Sequence, residues 1–323
     1  MQAAQWKTFV TQFALLSVRQ RRAGMALLRG IAPQEAAVVA LLENVARQRL
    51  HCPACHSAHL HRHGHAHGLQ RYRCVPCGRT FNALTGTPLA HLRHKAMWLD
   101  YADCLLDSCS VRKAASQLGV HRNTTFRWRH RFLSLATTDR PHCLHGIAEA
   151  DELYVLASQK GARHLTRPAR RRGGHARLRG ICSEHECILV ARDRTGQTLA
   201  FVTGRGQLTK AELHRCLRPV MDQDVLLVTD GHAAYPPFAR EAGISHQAVT
   251  VRAGMRVRGA VHVQHVNAYH SRLRGWLQRF HGVASHYLPH YLGWRWILDA
   301  RRIRSPEALL KATLGEFPHL TVT

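Results

Sequence analysis

Residues 261–276 have the sequence VHVQHVNAYHSRLRGW, and we expect the catalytic fold to be organised around this stretch. At about 3.6 residues per turn, Asn267, His270 and Arg274 share one face of a predicted helix. That face combines an amide oxygen, an imidazole and a cation. Two acidic residues far upstream, Asp151 and Asp230, would complete a site if folding brings them to this face.

Both aspartates belong to apolar runs that predict β-strands. Asp151 lies in GIAEADELYVLA and Asp230 ends DVLLVTD. An ionised carboxylate is rare in a buried strand unless it is paired or binds a metal. Two strand carboxylates and an oxygen ligand on a later helix are typical of a divalent-metal site for phosphoryl transfer.

The surrounding region, residues 148–301, predicts an α/β domain. Three strands, a helix, a strand, a helix, a strand and a helix follow one another, with a hairpin at 193–196 and a helix cap at Thr209. On the first strand, Glu149 and Asp151 alternate onto one face and Glu152 onto the other. This order resembles the RNase H-like catalytic fold, in which a mixed sheet is flanked by helices.

Four cysteines upstream have the spacing of a zinc site. The pairs Cys52/Cys55 and Cys74/Cys77 are separated by eighteen residues, which predicts a structural Zn²⁺ bound by four thiolates in a zinc ribbon over residues 48–84. A dithiol redox site would need a thioredoxin-like strand and helix, which the sequence lacks. Histidines at alternate positions from 59 to 67 would line one side of a strand. They suggest either a second metal site or a solvated hairpin.

Residues 85–135 predict a helix-turn-helix DNA-binding domain. Val111, Ala114, Ala115 and Leu118 form an apolar face, and Gly119 permits the turn. The second helix would read the major groove. Its candidate DNA contacts, which have donors for bases and phosphates, are Arg122, Asn123, Thr124, Thr125 and Arg127. An ordinary helical hairpin with a basic face is the alternative.

The remaining segments carry weaker signals. Residues 1–47 predict a helical arm, with Trp6, Phe9 and Val10 on an apolar face that packs on the next module or mediates dimerisation. Residues 136–147 predict a linker, and residues 302–323 a C-terminal tail. A basic loop around Arg170, Arg171 and Arg172 is predicted to contact DNA phosphates.

The composition favours a polyanionic partner. Lys and Arg total 46 against 20 Asp and Glu, a formal charge of +26, for which nucleic acid is the first candidate. No apolar run approaches the roughly 18 residues of a membrane span. The N-terminus lacks a signal-peptide pattern, and ten cysteines suit a reducing compartment. We therefore expect a cytoplasmic, nucleoid-associated protein without a membrane partner.

Taken together, residues 48–300 resemble zinc-ribbon insertion-sequence transposases of the ISXO2-like group, in the subset whose DDE-type site has Asn as its third ligand. The resemblance depends on the four cysteines, EADELY, TDGHAAY and HVNAYHSRLRGWLQRFHGVASHYLPHYLGWRWIL. It implies that Asp151, Asp230 and Asn267 hold two Mg²⁺ or Mn²⁺ ions. Arg274 takes the place of a basic residue that is often Lys.

The resemblance also implies cleavage and strand transfer on double-stranded DNA, with terminal inverted repeats and target DNA bound by a homodimer or a higher oligomer. Two other functions remain open: a metal-dependent nuclease or resolvase without strand transfer, and a catalytically inactive DNA-binding regulator. A zinc-dependent deaminase or hydrolase is disfavoured, because four thiolates leave the zinc no open position for water.

Overall fold

The computed structural model divides the chain into two compact units, residues 1–135 with 304–323 and residues 136–303. It describes residues 3–16, 34–138, 143–171, 173–249 and 261–317, together with residues 20, 21, 24 and 27. The division falls where the sequence predicts a linker. Within the described ranges, no helix is long and apolar enough to cross a membrane.

Unit 1 begins with two helices, α1 (Ala3–Leu15) and α2 (Gln34–Gln48). The predicted apolar face of α1 is largely exposed: Trp6 is 53% and Val10 is 46% accessible. By contrast, α2 buries Val38 and Leu42 completely. The carboxylate of Glu43 on α2 accepts a hydrogen bond from Gln70 N at 2.8 Å, which joins α2 to the sheet that follows.

The sheet of unit 1 has three antiparallel strands in sequence order, β1 (Leu60–Ala66), β2 (Leu69–Cys74) and β3 (Thr80–Asn82). A bulge interrupts β1 between Arg62 and His65, at the positive φ of Gly64. Because an extra residue in one strand reverses the alternation of side chains, the histidines of this segment do not line one side as predicted.

Three further helices of unit 1 are α3 (Trp98–Leu106), α4 (Val111–Leu118) and α5 (Arg122–Ala136). Ser110 caps α4 by accepting a hydrogen bond from Lys113 N at 3.2 Å. Gly119 ends α4 at φ 62°, a left-handed conformation that glycine adopts without strain. Trp98 and Tyr101 of α3 pack edge-on against Phe132 of α5, and this aromatic cluster fixes the helices against each other.

Unit 2 contains a five-stranded mixed sheet in the order β6-β5-β4-β7-β8. The strands are β4 (Ile147–Leu156), β5 (His185–Asp193), β6 (Thr198–Arg205), β7 (Leu226–Thr229) and β8 (Ser245–Ala248). The pairs β4/β5 and β5/β6 are antiparallel, whereas β4/β7 and β7/β8 are parallel. The predicted order of elements is therefore the observed one.

Helices cover both faces of this sheet. The helices of unit 2 are α6 (Lys210–Cys216), α7 (Tyr235–Ala242), α8 (Gln264–Gln278) and α9 (Leu288–Ala300). Leu213 of α6 and Phe238 of α7 join the core that contains Ala148 and Ala150 of β4. Thr209 and Glu212 form the predicted capping box at the start of α6. Since side chains alternate along a strand, Glu149 and Asp151 occupy the opposite face, where α8 lies.

The last helix of the chain, α10 (Pro306–Thr313), belongs to unit 1. The hydroxyl of Thr313 is buried and donates to Phe132 O at 3.1 Å, and Arg49 Nη2 donates to Gly315 O at 3.1 Å. The segment that the sequence leaves as a tail therefore contains a helix packed within unit 1. This helix packs within unit 1 because it buries the apolar side chains of Leu309 and Leu310.

Candidate active site

The register of two parallel strands brings the two predicted aspartates together. Ala150 of β4 pairs with Thr229 of β7. Asp151 directly follows Ala150, and Asp230 directly follows Thr229. Neighbouring strands lie about 4.8 Å apart, so the two carboxylates originate side by side at one end of the sheet. Gly231 follows at φ 90°, which turns the chain away directly after Asp230.

Each aspartate uses one oxygen locally. Asp151 Oδ1 accepts a hydrogen bond from Glu152 N at 2.8 Å, and Asp230 Oδ1 accepts one from His232 N at 3.1 Å. These backbone bonds fix the rotamers and direct the other oxygen of each carboxylate elsewhere. Two oriented carboxylates on neighbouring strands provide hard oxygen ligands that suit Mg²⁺ or Mn²⁺.

Helix α8 delivers His270 onto Asp151. His270 Nδ1 lies 3.4 Å from Asp151 Oδ2, the imidazole side chain is 8% exposed, and its Nε2 is buried without a hydrogen-bond partner. A buried polar nitrogen without a partner is costly and calls for a functional explanation. The sequence leaves three roles open for His270, namely metal or phosphate binding, packing of the helix and a solvent-facing position. The structure excludes the last, because the imidazole is buried beside Asp151.

Asn267 and Arg274 flank His270 on the same helix, one turn before and one turn after it. Both side chains are exposed. The predicted helix is confirmed, and its face turns an amide oxygen and a guanidinium to solvent beside the buried imidazole. Asn267 as the third metal ligand and Arg274 as a phosphate contact stay predictions.

A second acidic residue of β4, Glu149, holds the start of α8. Its side chain is 1% exposed, and Oε2 accepts a hydrogen bond from Val266 N at 2.9 Å. Oε1 pairs with the guanidinium of Arg194, and His262 Nδ1 lies 3.2 Å from the same oxygen. A carboxylate at a helix N-terminus is favoured by the helix dipole. Glu149 thus fixes the position of the turn that carries Asn267.

Replacing Glu149 by alanine is expected to destabilise unit 2 by about 3 kcal/mol, because it leaves a partly buried guanidinium and a helix N–H without their partner. Urea unfolding of the full chain, followed by circular dichroism, measures the effect. Glu241→Ala is the matched control, since Glu241 forms an exposed pair with Lys210. Equal shifts of the two unfolding midpoints would contradict this role of Glu149.

The opposite face of β4 holds a carboxyl with a raised pKa. The pKa of Glu152 is raised to about 7, chiefly because the carboxyl is buried. The nearby charges of Asp151 and Asp230 add to this rise, and a hydrogen bond from the Tyr235 hydroxyl opposes it. Both aspartates act on this one carboxyl, which agrees with their neighbouring positions at the end of the sheet.

The four predicted cysteine ligands converge in unit 1. The sulfur atoms of Cys52, Cys55, Cys74 and Cys77 lie within 4.8 Å of one another. Sγ of Cys52 is 3.6 Å from that of Cys77, and Sγ of Cys55 is 3.4 Å from that of Cys74. Thiolates that share a tetrahedral zinc lie about 4 Å apart, so this donor set fits Zn²⁺.

The candidate DNA-contact residues have different surroundings. Arg122, Asn123 and Arg127 are exposed on the first turns of α5, and Thr124 is half-buried. Thr125, however, is fully buried and donates its hydroxyl to Val111 O at 3.0 Å, so the prediction that it contacts DNA was wrong.

The basic loop of unit 2 is less available to DNA than predicted. Arg170 pairs with Glu184 at 3.1 Å and donates to Ala157 O at 2.8 Å, so its guanidinium is engaged within the loop. Arg171 is exposed, and Arg172 lies outside the described residues. In the sequence, the nearby acidic residue Glu184 could have indicated that one of these arginines forms an ion pair. No local pattern showed which arginine it would be.

Comparison with known proteins defines the class. Residues 143–296 match the model of the ISXO2-like transposase domain. An uncharacterized protein in the transposable element ISH50 of Halobacterium salinarum is 32% identical over 250 residues, which cover 76% of this chain and 84% of that protein. Both matches are to proteins of insertion sequences, and they define the chain as a transposase, an enzyme that acts on DNA.

The chain belongs to the ISXO2-like family of insertion-sequence transposases. The family resemblance noted in the sequence is thereby confirmed.

Solved structures give only weak similarity. The pre-cleavage Mos1 transpososome matches at 14% identity and a TM-score of 0.25, over 67% of this chain and 78% of that chain. The Mos1 mariner paired end complex with Mn matches at 12% identity and a TM-score of 0.19, over 67% and 78%. These scores are too low to support an inference.

Proposed function

We propose that this transposase binds the terminal inverted repeats of its insertion sequence and catalyses metal-dependent strand cleavage and strand transfer. The observation that carries the proposal is the register of β4 and β7, in which Ala150 pairs with Thr229, so that the following residues, Asp151 and Asp230, are neighbours at one end of the sheet. His270 of α8 lies 3.4 Å from Asp151. The sheet order and the mix of parallel and antiparallel strands support an RNase H-like catalytic fold.

The proposed metal ligands are Asp151, Asp230 and Asn267, whose carboxylate and amide oxygens are donors that suit Mg²⁺ or Mn²⁺. Within the part of the chain that the structure describes, each carboxylate keeps one oxygen to which no backbone amide donates, and a divalent ion is the natural partner of such a pair. When bound, two Mg²⁺ or Mn²⁺ ions would supply an activated nucleophile and stabilise the leaving oxygen.

The chain's own residues would position the DNA. Arg274, exposed on α8 one turn beyond His270, is available to a phosphate oxygen of the strand to be cleaved. Glu149 holds the first turn of α8 against β4. Water or a 3′-hydroxyl serves as the attacking group, so no nucleophilic side chain is required.

His270 would stabilise the metal-binding geometry of Asp151. Replacing it by alanine should raise the Mg²⁺ concentration needed for half-maximal cleavage about 10- to 100-fold, the usual cost of losing a residue that orients a ligand. Titration of the cleavage rate with Mg²⁺ measures this. His286→Ala, in the short turn before α9, is the control. An unchanged metal requirement would show that His270 only packs.

Unit 1 would supply most of the DNA binding. Its DNA-binding modules would be a four-thiolate zinc ribbon, supported by the convergence of four cysteines, and a helix-turn-helix formed by α4 and α5. The exposed Arg122, Asn123 and Arg127 suit bases and phosphates. The formal charge of +26 supports a polyanionic partner.

DNA affinity should fall steeply with salt, because binding releases counterions from the phosphates. Arg127→Ala is expected to reduce the slope of log K against log salt by about 1 unit if Arg127 contacts a phosphate. Fluorescence anisotropy with a labelled terminal repeat measures the slope. Arg218→Ala, exposed in the turn after α6, should leave it unchanged. A flat salt response of the unmodified chain would contradict phosphate contacts.

Incubation of the full chain with its flanking genomic ends and Mg²⁺ tests the proposal as a whole. Nicked and joined products support a transposase that completes strand transfer. Nicked products alone would favour a nuclease or resolvase, and binding without cleavage would favour a DNA-binding regulator. Either of these results would overturn the proposed reaction.

We also propose a homodimer or higher oligomer on DNA and a cytoplasmic, nucleoid-associated location. The exposed aromatic residues of α1, among which Phe9 stacks on Trp6 and Phe13, support self-association. Sedimentation with and without terminal-repeat DNA measures the oligomeric state.

A further inference from the structure

Three side chains that can bind a metal meet in unit 2, and none of them belongs to the sites described above. The Cys143 thiol, the His145 imidazole and the Asp222 carboxylate each offer an atom, and these atoms lie within 4.8 Å of one another. His145 Nδ1 is 3.0 Å from Asp222 Oδ2. The proposed DNA chemistry uses none of these residues.

The backbone fixes this arrangement. Leu144 and Met221 form an isolated parallel bridge, in which Leu144 N donates to Val220 O at 2.7 Å and Asp222 N donates to Leu144 O at 3.3 Å. Leu144 is completely buried. In an extended segment the residues on either side of a buried position point the opposite way. Cys143 and His145 are therefore presented together on the outer side, next to Asp222.

Surrounding hydrogen bonds orient the ligands further. Asp222 Oδ1 accepts a hydrogen bond from Gln223 N at 2.8 Å, which leaves Oδ2 directed at His145. The backbone N–H of His145 is held by Asp193 Oδ2 at 3.4 Å, and Asp193 is fully buried. Hydrogen bonds of this kind to ligand residues are what orients the ligands of a metal site.

Among the described residues, no Lys or Arg takes the place of a cation at this cluster. In the Glu149 cluster, the Arg194 guanidinium lies between the carboxylate, His262 and His265, and serves as the cation. At Asp222, by contrast, no Lys or Arg forms an ion pair within the part of the chain that the structure describes. The cluster of Cys143, His145 and Asp222 thus offers ligands that no basic side chain of the described residues neutralises.

We propose that Cys143, His145 and Asp222 bind a zinc ion with three protein ligands and one water. A thiolate, an imidazole and a carboxylate together suit Zn²⁺, whereas Mg²⁺ avoids sulfur. Ligand atoms that share one zinc lie about 3 to 4 Å apart, and the three ligand atoms here lie within 4.8 Å of one another, close to that spacing. The ion would fasten the first residues of unit 2 to the segment before β7.

Zinc binding by the full chain tests the proposal. Equilibrium dialysis against a zinc buffer with a phosphine reductant, followed by mass spectrometric metal counting, gives zinc per chain. Cys143→Ser and Asp222→Asn should each bind one zinc ion fewer than the unmodified chain. Cys182→Ser is the matched control. The Cys182 thiol lies 3.5 Å from His185 Nδ1, but it belongs to none of the candidate metal clusters found among the described residues.

Comparison between variants separates this ion from zinc at the four cysteines and at the histidines of β1, since those ligands are present in every variant. Circular dichroism establishes whether each variant is folded. If Cys143→Ser does not fold, the zinc content of Asp222→Asn tests the proposal. With Co²⁺ instead of zinc, the sulfur-to-metal absorption should lose one thiolate contribution in both Cys143→Ser and Asp222→Asn, and none in Cys182→Ser. Equal zinc content in the unmodified chain, Cys143→Ser and Asp222→Asn would overturn the proposal, as would a loss in Cys143→Ser that Asp222→Asn does not share.

Discussion

Replacing Asp151 or Asp230 by asparagine is expected to lower cleavage and strand transfer by more than ~100-fold, because even residues that only orient a metal ligand cost about 10- to 100-fold. Each substitution removes a negative charge from a pair that would otherwise bind the ions, while the side-chain volume is preserved. The substitutions should leave terminal-repeat binding intact, since unit 1 is proposed to supply most of it. Strand cleavage with labelled ends and anisotropy together measure the two effects.

Asp224→Asn provides the matched control for both aspartates. It removes the same charge from an exposed position just before β7 in the same unit. If Asp224→Asn reduces cleavage as strongly as Asp151→Asn, the loss reflects total charge and not a metal site. If Asp151→Asn and Asp230→Asn retain full activity, the proposed catalytic centre is wrong.

Replacing Cys74 by alanine is expected to remove the zinc of the four-cysteine cluster and unfold the sheet of unit 1. Cys74 is buried at the end of β2, and the small apolar cluster beside it holds only Cys52, Tyr72 and Phe81 as further buried members. So little apolar burial cannot order the sheet alone. Zinc binding contributes about 10–16 kcal/mol to the folding of comparable small zinc modules.

Zinc content, near-ultraviolet circular dichroism and limited proteolysis between residues 50 and 84 measure this loss. Cys187→Ala is the control, because Cys187 is a buried thiol of unit 2 outside every candidate metal cluster in the described residues. A Cys74→Ala protein with full zinc content and a protease-resistant sheet would contradict a structural zinc site. Chelation of the metal from the unmodified chain should reproduce the effect of Cys74→Ala.

Short-range patterns in the sequence were sufficient for the elements and for several of the site residues. The two CxxC pairs predicted the four-cysteine cluster, since ligand spacing at two tight turns is a local property. Alternation along β4 correctly separated Glu149 and Asp151 from Glu152. The periodicity of residues 264–278 correctly predicted α8.

Long-range pairing decided which of these side chains meet. No local pattern gives the register of β4 against β7, because hydrogen bonds between residues 79 positions apart in the chain set it. Parallel strands also have no tight turn to define their alignment. The contact of His270 with Asp151 and the anchoring of α8 by Glu149 follow from that register. The same reason explains the error in the tail, where Thr313 bonds to the distant Phe132. The error at Thr125 arose because the packing of α5 against α4 buries its hydroxyl on Val111 O.

For this transposase, the sequence by itself determined the family, the strand and helix order and the chemical types of the candidate ligands. These depend on residue identity and on spacing within single elements. Only the tertiary structure decided that Asp151 and Asp230 are neighbours, that Arg170 is engaged by Glu184, and that Cys143, His145 and Asp222 form a cluster. Burial and strand register arise from contacts between distant segments, and no local pattern specifies them.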